Sequence, residues 1–106
     1  HVARYYAMVE WFDETCGELL GHLEARGLAT NTLVVYIGDN GWIQRADGPG
    51  FAPRSKQSAN EGGVRQPTMF RWPGVIRPGN RGEQLCSSVD IVPTALAAAG
   101  VTIPNE

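Results

Sequence analysis

The sequence has 106 residues, 42% of them hydrophobic and 19% charged, with a formal net charge of −2. These values describe an ordinary globular segment and exclude a disordered chain, and the slight acidity excludes the basic footprint of a nucleic-acid binder. Apolar runs reach only five residues, as at the strand-sized Leu33 to Ile37, far short of the roughly 18 residues of a membrane span.

The chain starts at His1 rather than Met and enters a helical pattern at once, with no basic-then-apolar signal region. The expectation is one partial domain, residues 1–106, belonging to a longer protein. Apolar residues recur at Val2, Tyr5, Val9, Phe12, Cys16, Leu19, Leu20 and Leu23, which is the spacing of an amphipathic helix. Gly17 and Gly21 each cost about 1 kcal/mol in a helix interior, so the pattern predicts close packing of a neighbour there. Arg26 followed by Gly27 predicts the helix end: a cation in the last turn, then a residue free to turn left-handed.

Thr32 to Ile37 is apolar on both faces and β-branched, the pattern of a central strand covered by helices on both sides. A helix followed closely by such a strand predicts an α/β layer with a mostly parallel sheet flanked by helices. Gly38 to Gly63 carries six glycines and two prolines and little periodicity. A loop of that length is uncommon unless it has a function or is disordered. Pro67 to Trp72 reads as a second strand closed by Pro73-Gly74, and a third is expected near Leu85 to Ser87. A last helix, Ile91 to Ala99, is expected with Asp90 as its cap, Pro93 in its first turn and Gly100 at its end. The two cysteines, Cys16 and Cys86, form no CxxC pair and are read as packed helix and strand thiols rather than a disulfide. No internal repeat is present.

The chemistry is concentrated in the long loop. In "GDNG", Asn40-Gly41 is by itself a strong hairpin signal, because both residues accept positive φ. The residues after Gly41 lose any strand pattern quickly, which weakens that reading. Ligands of open parallel sheets gather beyond the carboxyl ends of strands, where Asp39 and Asn40 offer oxygens suited to a hard cation such as Ca²⁺ or Mg²⁺. Further along, "SKQSANEGGVRQP" contains Lys56, Glu61, Gly62, Gly63 and Arg65. Each alone has an ordinary explanation: a solvated lysine, a turn, an arginine pairing with an acid.

Taken in order, "YYAMVEWFDETCGELLGHLEARGL", "TLVVYIGDNG", "KQSANEGGVRQPTMFRWPG" and "SSVDIVPTALAAAGV" resemble the sulfatase family of the alkaline-phosphatase-like superfamily. The resemblance covers nearly the whole chain. Its most specific part is Lys56, followed five residues later by Glu61-Gly62-Gly63-x-Arg65-x-Pro67 and then Trp72-Pro73-Gly74. Asn60 departs from the pattern, since family members often have an aromatic residue there.

The resemblance implies an alkaline-phosphatase-like α/β sandwich and a calcium-dependent sulfuric ester hydrolase site, with Mg²⁺ a weaker alternative to Ca²⁺. Asp39 and Asn40 match the calcium ligands and Lys56 matches the lysine that contacts the sulfate. Asn40 separates the segment from related zinc phosphodiesterases, which place a histidine after the aspartate. An amide oxygen fits a hard cation and suits zinc poorly. The formylglycine nucleophile of sulfatases arises from Cys/Ser-x-Pro-x-Arg. Neither Cys16 nor Cys86 has that context, so the nucleophile is expected upstream of His1, and the chain alone is expected to be inactive. His1 and His22 match no catalytic position. The implied partners are a sulfate-ester small molecule or a sulfated glycan, and the implied compartment is periplasmic, secreted or lysosome-like. Two alternatives stand beside this reading: a related phosphoesterase or phosphonate hydrolase, and an α/β interaction module without chemistry.

Overall fold

A computed structural model describes residues 2–45 and 47–102 of the chain; His1 lies outside the described residues. The backbone divides into two units, His1–Leu33 with Trp72–Arg81, and Val34–Arg71 with Gly82–Glu106.

In the first unit, α1 spans Val2–Ala25. Cys16, Leu20 and Leu23, at spacings of one and two turns, are its half-buried residues. Trp11 and Leu19 are exposed at 70% and 60%, and His22 is exposed as expected. The helix ends as Arg26-Gly27 predicts. Gly27 takes φ 67°, its N–H bonds the Glu24 carbonyl at 2.9 Å, and the Leu28 N–H reaches back to the Leu23 carbonyl at 2.8 Å. These two bonds satisfy carbonyls that the helix would otherwise leave without partners. The expected packing at Gly17 and Gly21 is not found: a Cβ at either position meets nothing within 4 Å. A 3₁₀ turn, Ala29–Asn31, follows, and the Trp72 indole donates to the Thr30 carbonyl at 2.8 Å.

The second unit holds β1 (Val34–Ile37), α2 (Glu61–Val64), β2 (Thr68–Arg71) and α3 (Ile91–Ala98). β1 and β2 pair antiparallel, with Val34 opposite Arg71 and Ile37 opposite Thr68. This corrects the expectation of a mostly parallel sheet for the strands described. Parallel pairing needs a crossover long enough to return the chain to the starting edge. The one-turn α2 is too short for that, so the loop delivers β2 at the end where β1 stops. Burial also differs from the central-strand pattern: Val34 and Val35 are half-buried, while Tyr36 and Ile37 are exposed.

No strand forms at Leu85 to Ser87, and Cys86 is exposed there rather than packed. Both cysteines are free thiols. Asp90 precedes α3 but does not cap it with its side chain. Its carboxylate instead accepts from the Ser87 N–H at 2.7 Å, closing the 3₁₀ turn that leads in. α3 ends like α1: Gly100 has φ 73° and Val101 N–H bonds the Leu96 carbonyl at 2.9 Å. No large apolar side chain among the described residues is fully buried, and the fully buried side chain is that of Ser55, 1% exposed.

Candidate metal and sulfate site

The site is built on three stretches of backbone in the second unit. The first is the carboxyl end of β1. Gly38 N–H bonds the Pro67 carbonyl at 3.2 Å and Gly41 N–H bonds the Gly63 carbonyl at 2.8 Å. Asp39 and Asn40 lie between these two anchors. The Asn40 amide nitrogen donates to Asp39 Oδ2 at 2.5 Å, so the two side chains meet. "GDNG" is therefore not the turn of a hairpin. The chain does fold back farther on, with an isolated bridge between Gln44 and Phe51 and Ala52 N–H on the Ile43 carbonyl at 2.9 Å.

The second stretch carries Lys56. Ser55 is buried and its hydroxyl donates to the Ala52 carbonyl. Ser58 donates to the Ser55 carbonyl at 2.6 Å. Arg54 and Gln57 take φ 60° and 70°, a conformation uncommon outside glycine that persists only where the surroundings over-determine it. These two residues bracket Lys56. The Lys56 ammonium lies 5.5 Å from the centroid of the Phe51 ring.

The third stretch is Gly62-Gly63 in α2, and it explains why glycine is needed twice. A Cβ on Gly63 would stand 2.1 Å from the Ser58 carbonyl oxygen and 2.6 Å from that of Ser55. On Gly62 it would stand 2.6 Å from the Arg54 carbonyl oxygen, and on Gly41 2.0 Å from the Gly62 oxygen. Any of these is a collision with backbone. The double glycine is thus the seat on which both the Asp39-Asn40 end and the Lys56 loop close. Glu61 and Arg65 flank it as an exposed pair, 3.1 Å apart one turn along α2, so Arg65 finds its acid beside it.

Beside Asp39 lies a cleft of about 160 Å³, lined also by Gln66, Thr68, Cys86, Ser87 and Ser88. The Gln66 amide nitrogen is buried with no hydrogen-bond partner, and its Oε1 would stand 2.8 Å from a Cβ on Gly38. The sequence had singled out neither Gln66, nor Ser55, nor Phe51. Only the positive-φ positions and the buried hydroxyl reveal the loop's construction, and Arg and Gln carry no sequence signal for positive φ.

The donor set suits part of a hard-cation site. Asp39 and Asn40 bring adjacent oxygens, and turning the Asn40 amide would face its Oδ1 to a cation beside the carboxylate. No cluster of three or more His, Cys, Asp or Glu residues able to hold a metal occurs among the described residues, so the pair would be two ligands of a larger set. The partnerless Gln66 amide lines the same cleft as Asp39.

Comparison with known proteins agrees in extent and kind. The Sulfatase family model matches residues 1–101. The chain is 37% identical to steryl-sulfatase of Rattus norvegicus, covering 96% of this chain and 19% of that protein. It is 39% identical to human arylsulfatase A, over 88% of this chain and 19% of that protein. It is 34% identical to human N-acetylgalactosamine-6-sulfatase, over 97% of this chain and 21% of that protein. The chain thus spans about a fifth of the length of the curated relatives it matches. The matched span contains the strand end, the lysine loop and the glycine seat alike, and on that breadth of agreement the chain belongs to the sulfatase family.

Proposed function

We propose that this chain contributes two calcium ligands, Asp39 and Asn40, and one sulfate contact, Lys56, to the catalytic domain of a sulfuric ester hydrolase. The observation that carries the proposal is the shared seat: Gly62-Gly63 admits the backbone of both segments at distances that exclude any side chain. Two sequence-distant segments are thereby fixed on one short element. Residues 1–106 then act as one part of a longer domain.

In this reading Asp39 gives a full negative charge and Asn40 a neutral oxygen to the cation, preferentially Ca²⁺ over Mg²⁺. When bound, the cation supplies positive charge beside the sulfate oxygens. Lys56 donates to the sulfate from its loop, stabilising charge that shifts toward the leaving oxygen as the S–O bond breaks. The formylglycine nucleophile comes from a segment outside this chain, since neither Cys16 nor Cys86 precedes x-Pro-x-Arg. The substrate is a sulfate ester, either a small molecule or a sulfated glycan, and the sulfatase names of the matched relatives favour this over a phosphoesterase. No helix among the described residues is long and apolar enough to cross a membrane, and the family resemblance favours a periplasmic, secreted or lysosome-like compartment.

The test is calcium titration and kinetics on the full-length protein. Asp39→Ala is expected to weaken calcium binding strongly. Lys56→Ala is expected to leave calcium binding intact and to lower kcat/KM by about 10²–10³-fold, as loss of one preorganised charge-stabilising group does. Wild-type calcium affinity in Asp39→Ala, or wild-type kcat/KM in Lys56→Ala, would overturn the assignment.

A further inference from the structure

The Lys56 ammonium stands 5.5 Å from the Phe51 centroid, within the roughly 6 Å over which a ring face attracts a cation. Ion pairs join Arg45 to Asp47 and Arg65 to Glu61, and Lys56 takes part in neither. The difference matters for an anion site. A carboxylate in place of the ring would hold the ammonium, but it would also cancel its charge and repel an arriving sulfate ester. A ring holds the cation through its quadrupole and brings no formal charge. The ammonium therefore stays oriented while keeping its attraction for an anion.

The ring is itself held. Phe51 is half-buried and pairs with Gln44 across the bridge, and the next residue is tied to Ile43. The Ser55 hydroxyl then fixes the start of the lysine loop to the Ala52 carbonyl. Ring and ammonium thus belong to one hydrogen-bonded excursion of about fourteen residues, from Gln44 to Gln57, with Arg54 and Gln57 setting the backbone turn on either side of Lys56.

We propose that Phe51 is the positioning residue of Lys56, its ring face orienting the ammonium toward the sulfate without neutralising it. The proposal rests on the reading of Lys56 as the sulfate contact. The experiment replaces Phe51 in the full-length protein with mono-, di- and trifluorinated phenylalanine, which weaken the ring face stepwise at nearly constant shape. The expected result is a graded fall in kcat/KM for nitrophenyl sulfate, reaching about 3- to 10-fold. Inorganic sulfate is expected to weaken in parallel as a competitive inhibitor, with the thermal midpoint unchanged. Phe51→Leu is expected to match the weakest fluorinated variant, and Phe51→Trp to retain activity. In a Lys56→Ala background the fluorinated series is expected to become flat. A flat series with Lys56 present, alongside an impaired Lys56→Ala, overturns the role of Phe51 and leaves that of Lys56 standing. Wild-type kcat/KM in Lys56→Ala overturns both.

Discussion

Asp39 carries a full charge and Asn40 only an amide dipole, so their removal has unequal effects at a cation. Calcium titration of the two alanine variants is expected to show the larger loss of affinity for Asp39→Ala. Asn40→Ala is expected to weaken binding less and also to free the carboxylate from its 2.5 Å hydrogen bond. At the seat, Gly63→Ala drives a methyl to within 2.1 Å of the Ser58 carbonyl. It is expected to cost about 3 kcal/mol, at the upper end of the usual overpacking range. Calcium and sulfate binding should fall together, because both segments rest there. Gly48→Ala, with nothing within 4 Å, is the control and should stay within about 0.5 kcal/mol in denaturant unfolding. Farther along the excursion, the Arg45 guanidinium 3.1 Å away holds the Asp47 carboxyl below its ordinary 3.8. The folded value is the lower one, so the pair's contribution is present above the unfolded pKa and is lost as pH falls through the folded value. Carboxyl NMR is expected to place the Asp47 midpoint below 3.8, and Arg45→Gln to bring it back toward that value.

Among the elements, α1 carries two glycines in its interior that meet no neighbour. In this chain Gly21→Ala is therefore expected to raise helix stability by about 0.8–1 kcal/mol, read as increased helical circular dichroism. A loss on the same substitution in the full-length protein would reveal a neighbour that packs on that face, as the sequence pattern predicts. Both α1 and α3 end in the same paired hydrogen bonds around a glycine with positive φ. Those ends were legible from Arg26-Gly27 and from Gly100, because only local backbone freedom is involved. The antiparallel pairing of β1 and β2 was not. Apolar composition reports how a strand is expected to be covered, whereas direction depends on where the intervening loop delivers the chain.

Over the whole molecule, Tyr36, Ile37 and most of the apolar residues of α1 are exposed. Among the described residues no large apolar side chain is fully buried, so the main source of folding free energy is weak within them. The isolated chain is expected to bind a hydrophobic dye and to show no turnover of nitrophenyl sulfate, while the full-length protein does the reverse. A cooperative, dye-free isolated chain would contradict this. Family membership, the helix ends and the residue types at Asp39, Asn40 and Lys56 were all readable from the sequence, because ordered motifs and local propensities leave their mark on neighbouring residues. The strand direction, the double-glycine seat, the strained turns around Lys56 and the Phe51 ring beneath its ammonium came only from the tertiary structure. Each of these is a close approach of groups that spacing along the chain does not announce, or a backbone angle taken by a residue type that gives no sign of it. Such features are decided by close approach in space rather than by spacing along the chain.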